Sequence, residues 1–360
     1  MTSGPAAPDR LYETEIDLRS DFASPSDPVM LAAMHEAAQA PCGFGFREGV
    51  YVKKLERDTS TILGKEDAIW LPTCTMANLV AVLLQTNPDG GVVAQGDTHI
   101  ATTERGSIVD IAKRTLICLP PCNGLVAPEV FSATLSKNDS IQLIVLEDTH
   151  NRSGGLPLPI GYGNQIGAAA AEHGVKLHLD GARIFNSAVS HGVDPAVLCE
   201  ATETVSISLN KGLGAPNGAM LAGPQKLIER ASILRQQLGG GVRPMNLMAA
   251  AGITALQRWR DLSRDHQLAK RIAKELIGIP HCVVDLNQVQ TNIILVRLEL
   301  DRVATTAFAA DLKRYGIGAL DFDAGCIRLC VHCGILEDAV PRIAAAFLNV
   351  AKGMDWRDSQ

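Results

Sequence analysis

An α/β fold, with a large domain built on a mainly parallel sheet and a smaller α+β C-terminal domain, is predicted by three observations. Short apolar runs of strand length alternate with segments of helical period along the first two-thirds of the chain. Several of those runs are apolar throughout, as strands covered on both faces are. From about residue 270 the order changes to strands grouped around two helices. A chain of 360 residues is also too long for one simple core. We read a flexible lead over 1–15, a large domain over 16–262 and a small domain over 263–360.

The elements follow in order. Met30, Leu31, Met34 and Ala38 stand at helical spacing in 28–40, and Pro41-Cys42-Gly43-Phe44-Gly45 breaks that helix. Val52, Leu55 and Ile62 share one face of a helix over 51–63, ended by Gly64. A short buried strand at 68–72 runs into Thr73-Cys74-Thr75, which opens a helix reaching about Leu84. Strands at 92–94, 141–147, 175–179 and 205–209 follow, with a helix near 166–173 between the middle two. Long helices are read at 227–238 and 247–262. In the small domain, strands at 283–285, 291–298 and 326–331 accompany helices near 304–315 and 337–351.

Composition excludes several function classes. The chain carries 33 Lys and Arg against 39 Asp and Glu, a net charge of −6 with no basic cluster, so it has no electrostatic footprint for nucleic acid. No apolar run approaches the roughly 20 residues of a membrane span. The polar start has neither the basic nor the apolar region of a signal peptide, so a cytoplasmic location is the default expectation. Cys326, Cys330 and Cys333 have a Cys-x3-Cys-x2-Cys spacing that some iron–sulfur enzymes use. Their segment alternates like a strand, which sends neighbouring side chains to opposite faces, and we read them as reduced thiols without a metal.

The chemistry lies at the strand ends, where open α/β sheets bind ligands. His178-Leu-Asp-Gly-Ala-Arg183 and Ser208-Leu-Asn-Lys-Gly-Leu-Gly214 each place a charged residue where an apolar run gives way to glycine. Singly, an Asp-Gly is a turn and a Lys-Gly a solvated loop. Together they are what a pyridoxal 5'-phosphate enzyme needs: Lys211 to form an imine with the cofactor aldehyde, and Asp180 to keep the pyridine nitrogen protonated. The helix opened by Thr73-Cys74-Thr75 offers free amides to a phosphate. His99 suits stacking on a flat ring. His150 is either a general base or a structural histidine. Arg183 and Arg328 could each pair bidentately with a carboxylate.

With these residues in place, the chain resembles the threonine aldolase / β-eliminating lyase family of pyridoxal-phosphate enzymes, which has the aspartate-aminotransferase-like fold (fold type I). The resemblance rests on Asp17-Leu-Arg-Ser-Asp21, Thr75-Met-Ala-Asn78, Asp148-Thr-His-Asn151 with Gly154-Gly155, the two segments above, and Leu238-Gly-Gly-Gly-Val-Arg243. It implies that Lys211 holds the cofactor aldehyde, Asp180 pairs with the ring nitrogen and His99 stacks on the ring. It implies that Thr75 and the backbone at Cys74 hold the phosphate, with Arg243 arriving from a neighbouring subunit. Ser20, Arg183 and Arg328 would bind the amino-acid carboxylate, and His150 would lie beside the substrate's β-hydroxyl. A homodimer or homotetramer with the site at the subunit interface is implied as well.

Some positions depart from the family's pattern. Phe46-Arg47-Glu48-Gly49-Val50 replaces a usual Tyr-Gly-Glu-Asp-Pro, Cys74 replaces a glycine, Gln236 a lysine and Pro244 a glutamine. A cysteine at 74 is strained if that position requires positive φ. The leading expectation is cleavage or formation of the Cα–Cβ bond of a β-hydroxy-α-amino acid, with glycine and an aldehyde as the other side of the reaction. β-Elimination or dehydration of a β-substituted amino acid uses the same cofactor residues, and aminotransfer is a further option. A catalytically silent cofactor-binding scaffold is the reading from another class, and the joint presence of Lys211, Asp180, His99 and Arg183 argues against it.

Overall fold

The computed structural model describes residues 15–45, 47–120 and 125–355; all but the last residue of the expected lead at 1–15, and Phe46, lie outside them. The strands, in chain order, are β1 (Ile16–Asp17), β2 (Asp67–Leu71), β3 (Gly91–Gln95), β4 (Thr115–Leu119), β5 (Ile141–Glu147), β6 (Lys176–Asp180), β7 (Thr204–Ser208) and β8 (Ala219–Gly223). They continue with β9 (Cys282–Val283), β10 (Ile293–Leu298), β11 (Ile317–Gly318), β12 (Leu320–Asp323) and β13 (Cys326–Cys330). Seven of them form one sheet in the order β2-β8-β7-β6-β5-β3-β4.

The central ladders of that sheet, β4-β3-β5-β6-β7, are parallel, and β8 alone runs against its neighbours β7 and β2. This is the expected α/β class. The apolar runs explain it: β2, β3, β5, β7 and β8 are buried along nearly their whole length because helices cover both faces. Two strands of this sheet are absent from the sequence reading, β4 and β8. β8 is Ala-Met-Leu-Ala-Gly, whose small residues carry little strand signal of their own.

The register brings the carboxyl ends of the parallel strands to one edge. Glu147 at the end of β5 pairs with Asp180 at the end of β6, and Asp180 with Ser206 of β7. The loops leaving these ends therefore converge.

A four-stranded antiparallel sheet, β12-β13-β10-β9, packs with the helices Leu262–Glu275, Arg302–Arg314 and Ala339–Asp355 around a second core that includes Leu268, Ile294, Phe308 and Phe347. The N-terminal strand belongs with this layer. β1 pairs with β11, and Ile16 and Leu18 are buried in the second core. That pairing carries Ser20 and Asp21 from the start of the chain to the edge of the large sheet. Among the described residues no helix is long and apolar enough to cross a membrane.

Candidate active site

A cavity of about 360 Å3 opens at the converging strand ends, and Asp180, Lys211, His99, Cys74, Arg183 and Arg328 all line it. Its floor is a side-chain network. Asp180 is 3% exposed at the end of β6. Its Oδ2 accepts from Asn78 Nδ2 at 3.0 Å and its Oδ1 from the Ala182 amide at 3.2 Å. Asn78 also donates to Glu104 Oε2 at 3.0 Å, while its own oxygen accepts from Ser206 Oγ at 2.6 Å and faces His178 Nε2 at 3.1 Å. Burial and the neighbouring carboxylates Glu104 and Glu147 push the Asp180 carboxyl up to about 6. No cationic side chain hydrogen-bonds to it among the described residues; Lys211 and His99 only offset the shift in part.

Glu104 is the residue that sequence reasoning overlooked. It accepts from Thr75 Oγ1 at 2.7 Å and meets His99 Nδ1 at 3.0 Å, besides its bond from Asn78. Burial alone would raise its carboxyl, but these three hydrogen bonds outweigh burial and hold it below the usual range. The His99 imidazole is correspondingly raised, first by the Glu104 hydrogen bond. The His99 amide donates to Glu147, whose other oxygen takes the Asn151 amide at 2.8 Å. Nothing in the local sequence around Glu104 marks it; the loop after β3 brings it back under the helix Cys74–Gln85.

That helix is capped by Thr73, whose hydroxyl accepts from the Met76 amide at 3.1 Å. The amides of Cys74 and Thr75 have no acceptor within the helix and face the cavity region. Cys74 takes ordinary helical backbone, since the non-glycine residues of positive φ among the described residues are Asp89, Lys113 and His281, so the strain expected of it is absent. Its thiol is buried, 3.6 Å from Ser206 Oγ and 3.9 Å from Asp180 Oδ1, and burial pushes it up to about 12. The Thr75 hydroxyl is turned to Glu104, which leaves phosphate binding at this turn to the amides.

The opposite wall corrects one expectation, and the turn after β5 corrects another. Arg183 lines the cavity, but its Nε and Nη2 both donate to Asp21, each at 2.7 Å. The bidentate grip expected for a substrate is thus taken by an internal carboxylate, and only Nη1 is turned elsewhere, 3.4 Å from Asn151 Oδ1. Arg328 donates to Asn151 Oδ1 at 2.7 Å and to the Arg19 carbonyl at 3.0 Å, while its buried Nε has no partner among the described residues. Ser20 and Phe22 complete this wall, with the Lys211 ammonium 5.5 Å from the Phe22 ring centre.

His150 is the second correction. It is 1% exposed and does not belong to the lining. Its Nδ1 accepts from the Ser153 amide at 3.2 Å, and its Nε2 lies 3.3 Å from Gln95 Nε2 and 3.4 Å from Asp97 Oδ1. The strand ends at Glu147, so the turn that sets Thr149 and Asn151 on the cavity lining sends the histidine between them away from it. Arg243 is also away from its own chain's cavity, with its guanidinium 5.4 Å from the exposed Phe44 ring.

Comparison with known proteins identifies the family. The profile of the β-eliminating lyase family matches residues 17–299. Low-specificity L-threonine aldolase 1 of Arabidopsis thaliana is 34% identical over 92% of the chain and 95% of its own length. The low specificity L-threonine aldolase of Escherichia coli (strain K12) is 30% identical over 92% and 97%. The threonine aldolase structure from Leishmania major superposes with a TM-score of 0.80 at 19% identity, covering 93% of this chain and 99% of that one. The chain belongs to the β-eliminating lyase family.

Proposed function

We propose that the protein is a pyridoxal-phosphate-dependent lyase that cleaves, and in reverse forms, the Cα–Cβ bond of a β-hydroxy-α-amino acid, with glycine and an aldehyde on the other side. One observation carries the cofactor reading. Asp180 is a buried carboxyl with no cation bound to it, facing a cavity it shares with Lys211. Asp180 would pair with a protonated ring nitrogen, and the amides of Cys74 and Thr75 would supply donors for a phosphate. The cavity's volume of about 360 Å3 suits a cofactor with a small substrate. Relatives at up to 34% identity that are named L-threonine aldolases support the reaction.

When bound, the cofactor takes up the electron pair left on Cα as the bond breaks. The chain's residues do the rest. Lys211 Nζ would be the group that holds the cofactor through its aldehyde carbon. Asp180, fixed by Asn78 and the Ala182 amide, stays ionised against the ring nitrogen. Ser20, Arg328, and Arg183 through Nη1, all on the lining, orient the substrate carboxylate, and with it the bond to be broken. His99 is the histidine on the lining; Glu104 holds its Nδ1, which leaves Nε2 to take the β-hydroxyl proton. Thr149 Oγ1, buried in the lining without a partner among the described residues, is a further polar contact for the substrate.

Product analysis tests this reading. Incubation with threonine and related β-hydroxy amino acids is expected to release glycine and aldehyde in equal amounts. A 2-oxo acid with ammonia would instead assign the chain to elimination, and no product with any of them would leave a silent binding protein. In the same assay Lys211→Ala is expected to lose both activity and the covalent cofactor adduct found by mass spectrometry after borohydride reduction.

A further inference from the structure

A second cavity of about 210 Å3 meets the first at His99, Asn151 and Arg328, which belong to the walls of both. Its own walls come from three places: Thr102 and Thr103 after β3, Arg152 after β5, and Leu320 and Phe322 of β12. The charge of the two cavities differs. Glu104, Glu147 and Asp180 line the first, whereas no Asp or Glu among the described residues lines the second.

The Phe322 ring explains how two guanidinium groups coexist there. Arg152 stands 5.6 Å and Arg328 5.1 Å from its centre, each against the aromatic system. Arg328 is already committed to Asn151 and the Arg19 carbonyl. Arg152 is not held in this way. Its ion pair with Asp323 spans 3.9 Å, and the Asp323 side chain is 70% exposed. A guanidinium backed by a ring and weakly paired to a solvated acid presents its N–H edge to an incoming anion.

We propose that this annex receives the substrate's β-substituent and selects one that ends in a carboxylate, with Arg152 as the pairing group. The proposal rests on the carbon–carbon cleavage reading above. For such a substrate the Cα–Cβ bond breaks, the β-hydroxyl loses its proton and becomes a carbonyl, and Cα takes up a proton. The products are glycine and an oxo acid, and no oxidant or reductant enters.

The test uses the holoenzyme and matched pairs of β-hydroxy-α-amino acids, one ending in a carboxylate and the other in the primary amide of equal length, with threonine as a third substrate. Glycine release is expected to give a kcat/KM about tenfold higher for the acid than for the amide. Arg152→Gln is expected to bring that ratio close to one, and Arg152→Lys to restore part of it. The ratio is insensitive to a general loss of folded or cofactor-loaded protein, because both substrates meet the same sites. Amide turnover equal to that of the acid, or a preference unmoved by Arg152→Gln, overturns the annex while leaving the cleavage reading intact. Absence of glycine from every substrate, threonine included, overturns the cleavage reading and the annex with it.

Discussion

On the cavity floor, side chains hold one another within a single layer, whereas the facing wall is held by pairs that join distant parts of the chain. Asn78, Glu104, His99, Thr75 and Asp180 all lie at the ends of neighbouring strands or in the loops and helices that leave them, and each has a hydrogen-bond partner in the same group. The wall instead depends on Arg183 reaching Asp21, 162 residues away, and on Arg328 reaching the Arg19 carbonyl, 309 residues away. The floor is thus a property of the parallel sheet. The wall exists only when the N-terminal segment and β13 dock against that sheet. The difference separates two kinds of failure: a floor variant should damage chemistry in a folded protein, and a wall variant should damage assembly of the fold itself.

The largest effect expected is on the wall. Asp21 is fully buried and Arg183 nearly so, and they form two hydrogen bonds of 2.7 Å. Asp21→Ala leaves a guanidinium buried without its carboxylate, at a cost of about 3–5 kcal/mol, measurable by urea denaturation. The pH dependence has a definite sign. Burial opposes the charge of Asp21, but Arg183 outweighs it and holds the carboxyl well below the usual range. The stability that the pair contributes is therefore present above the unfolded value of about 4 and is lost as pH falls below it. Asp21→Ala should flatten that acid limb. A variant as stable as the wild type would show that docking of the N-terminal segment does not depend on this pair.

Asp180→Asn breaks the floor, and the comparison predicts the reverse pattern. Activity should fall by about 10²–10³-fold through loss of the charge facing the cofactor ring. Stability of the cofactor-free protein should not fall. Asp180 is raised to about 6 by burial, Glu104 and Glu147, so its favourable contribution is present below about 4 and is lost as pH rises through 6. Asparagine removes that loss, and the cofactor-free variant should melt no lower than the wild type at pH 8. A variant both inactive and less stable would mean that Asp180 supports the fold in its own right.

The same division governs what could be read before folding. β5 and β6 each pass from a leucine to a terminal acid, Leu146-Glu147 and Leu179-Asp180, so Asp180 and the turn after Glu147 were visible as strand ends, and Lys211 and His99 likewise. Arg183 was visible as a cation near the site, but its partner was not, because Asp21 lies in a short N-terminal motif whose docking against β11 has no local signal. Glu104 was missed for a related reason: its position depends on how the loop after β3 returns to Asn78. His150 was misplaced by one step of chain direction. In a turn that sets Thr149 and Asn151 on the cavity lining, the residue between them points away from it, and only the backbone path decides which side chain meets the cavity.

Arg243 sharpens the comparison at its third level, where neither floor nor wall of one chain suffices. It lies outside its own cavity beside Phe44, which is 87% exposed, and Val242, which is 40% exposed, an apolar setting unusual for a free surface. Our reading places it on the cofactor phosphate of a second copy, so Arg243→Ala should weaken cofactor binding by about 1.5–3 kcal/mol, the range for a hydrogen bond to a charged group. Mixing separates this from a loss within one chain. A hybrid of Lys211→Ala and Arg243→Ala subunits contains one cavity with both lesions and one with neither if the arginine crosses the interface. At limiting cofactor, where each preparation alone has little activity, activity should then rise when the two are mixed and allowed to exchange subunits. If Arg243 served its own chain, every cavity in the hybrid would carry one lesion and mixing would restore nothing.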